Sequence, residues 1–129
     1  MGRAFTERQE SDIRNVIRRA EAETGLHFSV YVGRAEGDAR RFARALHASL
    51  GDRVGDAVLL FVDPDGHAME IVTGPRARRL LDDRTCALAA MTMTTSFSVG
   101  DLVAGICDGI NLLVEHGRRA PVEHRHPAG

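Results

Sequence analysis

The segment AVLLFV, residues 57 to 62, is an unbroken apolar run of strand length, followed at once by Asp63-Pro64-Asp65-Gly66. A strand without polar alternation must be covered on both faces, which calls for a sheet with one layer above it and another below. Pro64, Asp65 and Gly66 are turn formers, so the chain reverses there and HAMEIVT, residues 67 to 73, returns as an antiparallel neighbour. Gly74-Pro75 breaks that second strand.

The flanking segments supply the layers. Thr6 and Gln9 form a T-x-x-Q capping box, and Ile13, Val16, Ile17 and Ala20 make one helical stripe that Gly25 closes. LHFSVYV, 26 to 32, alternates as a strand; 33 to 37 is a loop. Asp38 caps a second helix with the stripe Ala39, Phe42, Ala43, Leu46 and Leu50, and 51 to 56 reads as a loop. Residues 76 to 95 are helical, in two pieces around Asp82-Asp83. Ser98 to Asp101 is a second capping box, S-x-x-D, that opens a last helix over 99 to 116 with a wide apolar surface. The order is α-β-α-β-β-α-α. The expectation is an α/β fold, a three-layer α/β/α sandwich on a small mixed sheet, with one domain over 1–117 and a polar, disordered tail over 118–129.

Composition limits the chemistry. All 17 basic residues are arginine, so no Schiff-base, P-loop or general-base lysine exists. A net charge of −1 supplies no global field for nucleic acid or an anionic membrane. No apolar run is long enough to span a bilayer and the first residues carry no apolar leader, so the expected setting is soluble and cytoplasmic. Cys86 and Cys107 are read as buried free thiols, and no G-x-S-x-G, H-E-x-x-H or C-x-x-C pattern occurs.

Asp63-x-Asp65-Gly66 after an apolar strand is also the signature of phosphotransferases of the haloacid dehalogenase type. That chemistry needs a phosphate-gripping cation, usually lysine, and a larger parallel sheet. It also needs further acids at the same sheet end, whereas Asp82-Asp83 follows a strand that finishes roughly 20 Å away. A Pro-Asp-Gly turn accounts for Asp63 and Asp65. The spacing does not fit a calcium loop either, since its first and twelfth positions would be Phe61 and Val72.

Arg76, Arg78, Arg79 and Arg84 make a local basic patch that either grips a phosphate or acidic partner, through Arg76 and Arg79, or is a solvated helix face. No aromatic residue is interleaved with it, so nucleic-acid stacking is not supported. His116, His124 and His126 lie in or beside the polar tail, and His27 and His47 have no acid partner close in sequence. Met91 and Met93 read as core filling.

The ordered set GDAVLLFVDPDGHAMEIVTG (55 to 74), LLDDRTCALA (80 to 89) and SFSVGDLVAGICDGI (96 to 110) resembles the TPM-domain superfamily of thylakoid-lumen, photosystem-repair and receptor-accessory proteins. It is most similar to the short actinobacterial branch of that superfamily, known only as a domain of unknown function. The resemblance implies an α/β/α sandwich and a function among cation binding, weak phosphatase activity and accessory binding. Carried over by motif, the metal-ligating candidates are Asp56, Asp82, Asp83 and Asp101, gathered where the second strand begins and holding Ca²⁺ or Mg²⁺. The competing account makes Asp82 or Asp83 and Asp101 helix caps and Asp56 a loop acid. GPRARR, 74 to 79, departs from the glycine-aromatic-glycine stretch of many relatives. The leading expectation is a non-catalytic module that binds a protein partner, with room for a homo-oligomer; the alternative is a metal-dependent phosphatase.

Overall fold

A computed structural model describes residues 5–123. The elements are α1 (Glu7–Thr24), β1 (His27–Val32), α2 (Ala39–Ala48), a 3₁₀ turn (Gly51–Asp56), β2 (Ala57–Asp63), β3 (Ala68–Thr73), α3 (Pro75–Leu80), α4 (Asp83–Ser98) and α5 (Leu102–Glu123). The sheet order is β1-β2-β3. β1 runs parallel to β2, from His27 opposite Ala57 to Val32 opposite Val62, and β3 runs antiparallel, from Asp63 opposite Ala68 to Val58 opposite Thr73.

Every residue of β2 is buried, as an apolar run of this kind requires. Its two faces enter different cores. Val58, Leu60 and Val62 meet Phe28 and Ile71 from the neighbouring strands, Ile13 and Ala20 from α1, Met93 from α4, and Ile106, Ile110 and Leu113 from α5. Leu59 and Phe61 face Ala43, Phe42 and Leu46 of α2, with Val72 beside them. The molecule is thus a three-layer sandwich with α2 on one side of the sheet and α1, α4 and α5 on the other. On the α2 side Phe61 stacks with Tyr31, ring centroids 5.8 Å apart, and takes Phe42 edge-on at 5.4 Å.

The helix ends follow local chemistry. Thr6 Oγ1 accepts from Gln9 N at 3.0 Å while Gln9 Oε1 accepts from Thr6 N at 2.9 Å, and Gly25 closes α1 at φ 77°. Asp38 caps α2 through Arg41 N.

Four expectations are corrected. Residues 51–56 are a 3₁₀ turn rather than an open loop. The last helix opens at Leu102 rather than 99, because Gly100 turns left-handed at φ 84° and Ser98 is still inside α4. That helix continues to Glu123, so the expected tail is helical over its first half; residues 124–129 lie outside the described residues. Met93 is fully buried, but Met91 is 67% exposed. Both cysteines are unpaired, as expected, and half-buried.

Gly74, between β3 and α3, packs flush against the turn before β2. A Cβ there would collide with the carbonyl oxygens of Val54 and Gly55. Gly74→Ala is expected to cost about 3 kcal/mol, the upper end of the overpacking range. Urea titration should show a lower midpoint with an unchanged slope.

Candidate functional site

The sheet has two ends, and chemistry-bearing residues lie at both. Where β2 begins and β3 finishes, Asp56 closes the 3₁₀ turn and pairs with Arg76 Nε at 2.6 Å. The Arg76 hydrogen bond holds the Asp56 carboxyl below its ordinary range. Arg78 Nη2 donates to Thr73 O at 3.0 Å, fastening α3 to the end of β3. Asp82 caps α4, accepting from Thr85 N at 2.9 Å, and the bonds from Thr85 depress its pKa. Asp83, Arg79 and Arg84 are exposed beside it.

Asp101 does not join this group. α4 starts next to Asp82 and runs sixteen residues, about 24 Å at 1.5 Å per residue, to the other end of the sheet. There Gly100 and Leu102, the neighbours of Asp101, lie beside Val62 and Asp63. Asp101 accepts from Ala104 N at 3.1 Å and caps α5. The four acids therefore do not converge: Asp56 is in an ion pair, Asp82 and Asp101 cap helices at opposite ends of the sheet, and Asp83 is exposed. Among the described residues no three His, Cys, Asp or Glu side chains stand together as a metal-ligand set.

At the far end, Asp63 is buried, and its carboxylate is consumed by the backbone. Oδ2 accepts from Ala35 N at 3.0 Å and Oδ1 from Gly66 N at 2.9 Å. These bonds lower its pKa, which keeps the carboxylate charged and unsuited to act as a general acid, and both of its oxygens are engaged by backbone N–H groups. Asp63 thus pins the β2–β3 turn to the loop after β1. His67 completes the turn at φ 54°, an uncommon conformation for a residue with a side chain.

Beside this turn opens a cleft of about 500 Å³. Val62, Pro64, Ala68, Met69, Phe97 and Leu102 line it with apolar surface, and Thr94, Ser98 and His67 add polar groups. The sequence reading missed it because the lining comes from two stretches, the β2–β3 hairpin (62–69) and the end of α4 with the α4–α5 corner (94–102), that only packing brings together.

Two histidines make structural contacts. His47 is buried with Nε2 3.1 Å from Ala57 O, and His27 Nδ1 lies 3.2 Å from Glu21 Oε2. Burial, with Asp83 and Asp82 nearby, pushes the Cys86 thiol up to about 11, and burial raises Cys107. Neither is an activated thiol.

Residues 2–114 match DUF5130, a family described as a domain of unknown function. The chain belongs to the DUF5130 family. No curated protein matches it. The fold of this DUF5130 domain is shared with the BA42 protein of the psychrophilic bacterium Bizionia argentinensis, at TM-score 0.79 and 20% identity over 90% of this chain and 83% of that one. It is also shared with the N-terminal domain of a P. gingivalis protein, at TM-score 0.77 and 19% identity over 97% and 83%. The N-terminal domain of the cg2496 protein of Corynebacterium glutamicum gives 0.75 and 14% over 97% and 84%. At these identities the likeness is one of fold.

Two outcomes follow for the DUF5130 domain. Asp63→Asn faces an amide NH₂ toward one of two backbone donors and is expected to cost about 1–3 kcal/mol at neutral pH. Because the folded pKa of Asp63 is depressed, its stabilisation is present above the unfolded value near 3.9 and is lost as pH falls through the folded one. The gap between Asp63→Asn and the parent chain should therefore close in acid unfolding curves below about pH 4. Millimolar Ca²⁺, Mg²⁺ or Mn²⁺ is expected to leave the thermal midpoint where EDTA leaves it. A ligand at ~100 times its dissociation constant would add ~2.7 kcal/mol, several degrees for a domain of this size. A rise of that size, abolished by Asp82→Asn, would restore the acids as a site.

Proposed function

We propose that this DUF5130 domain is a non-catalytic, TPM-like accessory module that takes a protein partner at the cleft between the β2–β3 turn and the α4–α5 corner. The observation that carries the reading is the lining of the cleft: an open groove with Val62, Met69, Phe97 and Leu102 on the inside of its two walls and only a few polar groups. Such grooves take large apolar anchor side chains, which supply most of the energy in a protein interface. The one carboxylate there, Asp63, is already spent on two backbone N–H groups. That favours binding over hydrolysis, as does the ion pair that occupies Asp56.

The reading places the domain in the cytoplasm. Two unpaired thiols are at home in a reducing compartment. No helix among the described residues is long and apolar enough to cross a membrane.

Selection from a random-peptide library on the immobilised domain is expected to enrich sequences with one or two large apolar anchors. Thr94 is exposed on α4 at the edge of the cleft, so Thr94→Arg sets a charge there without disturbing the core. It is expected to weaken the selected peptides at least tenfold, roughly 1.4 kcal/mol. Peptides that bind Thr94→Arg as tightly as the parent chain would move the partner site away from the cleft.

A further inference from the structure

From Thr85 to Gly100 the chain has sixteen consecutive residues without Asp, Glu, Arg or His, in a protein that is 27% charged. Nearly all of them form α4. A helix that packs one face on a core normally carries charge on the opposite face. Beyond Arg84 in its first turn, the outward face of α4 does not. Leu88 is 46% exposed, Met91 67% and Val99, its C-cap, 78%. These are three of the four large exposed hydrophobic residues among the described residues. At roughly 100° per residue, Leu88, Met91, Thr95 and Val99 fall within about 80° of one another around the axis, turned away from the buried Ala89 and Met93. A water-facing, uncharged and largely apolar stripe over the last three turns of a helix marks a contact surface.

The charges at its two ends say what covers it. Arg84 heads the stripe on the same face, and Asp101 follows its end; both are exposed. Laid antiparallel against a second copy, the stripe is its own complement. Leu88 meets Val99 of the second copy, Met91 meets its Thr95, and Arg84 comes opposite its Asp101. Asp82 is engaged by its cap on Thr85 N, and Asp83 lies about 100° to the side of Arg84. Ala87 and Thr95 are small enough to let the two helices approach closely. A charged partner surface would have to give up its hydration with nothing to pair against along the stripe. An identical uncharged helix pays no such penalty, and its terminal charges match.

We propose that α4 is the two-fold interface of a homodimer, with the two copies of the helix antiparallel and sealed at each end by Arg84 with Asp101 of the second copy. The inference goes beyond the cleft reading and stands without it. Phe97 points to the cleft from the far side of α4, and Thr94 and Ser98 mark the boundary between the two surfaces.

Sedimentation equilibrium of the full chain at tens of micromolar tests the proposal, with a species of twice the 14.0 kDa chain mass expected. Met91→Glu puts two carboxylates near the axis and is expected to raise the dimer dissociation constant at least tenfold, about 1.4 kcal/mol, with the far-UV circular dichroism unchanged. Arg84→Glu, in the exposed first turn, sets like charges against Asp101 of the second copy and is expected to raise it as well, more steeply at low salt. A 14.0 kDa monomer at these concentrations overturns the proposal. So does a dimer whose dissociation constant is the same in Met91→Glu and Arg84→Glu.

Discussion

The burial of β2 on both faces is the constraint on which the rest of this domain depends. Val58, Leu60 and Val62 complete one core, and Leu59 and Phe61 complete the other, so a single strand is the shared wall of two layers. Each large apolar side chain buried in this way contributes on the order of 1.5–3 kcal/mol. Five of them together equal the net stability of a typical domain of this size. The two sides are unequal. α1, α4 and α5 form a broad layer over one face, whereas α2 alone covers the other, where the ring contacts of Tyr31, Phe42 and Phe61 make up the packing.

Asp63 shows how a sequence that resembles a catalytic motif can be structural. A carboxylate at the C-terminal end of a buried strand is well placed for chemistry in an α/β sheet. Here its two oxygens are taken by Ala35 N and Gly66 N, which join the β2–β3 turn to the loop after β1. The same bonds that depress its pKa hold the turn in register. The turn then forms one wall of the cleft, so the acid shapes the candidate site without acting in it.

α4 sets the distances in the molecule. It separates Asp82 from Asp101 by its own length, which is why acids that lie close in the motif order cannot share a cation. It also carries two different apolar surfaces. Phe97 and Thr94 turn toward β3 and the cleft, while Leu88, Met91 and Val99 turn to water. A helix with only a buried stripe would need neither, so the outer face, uncharged beyond Arg84, calls for an occupant rather than a packing explanation.

Much of the architecture was legible in the sequence, for local reasons. The Thr6–Gln9 box, the Asp38 cap, Gly25 and the Pro64-Asp65-Gly66 turn act through bonds within a few residues, so type and spacing alone announce them. The unbroken run from Ala57 to Val62 called for two covering layers in the same way. The placement of the acids was not legible. The Ser98 to Asp101 pattern looks like one capping box, but Gly100 turns left-handed and leaves Asp101 alone to cap α5. Only when α4 is seen as one rigid rod from Asp83 to Ser98 does Asp101 move to the opposite end of the sheet. The cleft was equally hidden, since its walls come from two stretches, 62–69 and 94–102, that lie far apart in the chain. The sequence by itself determined the elements and the face each buries, because periodicity and capping are short-range. The tertiary structure alone decided which polar groups meet, because that depends on the lengths and directions of rigid elements far apart in the chain.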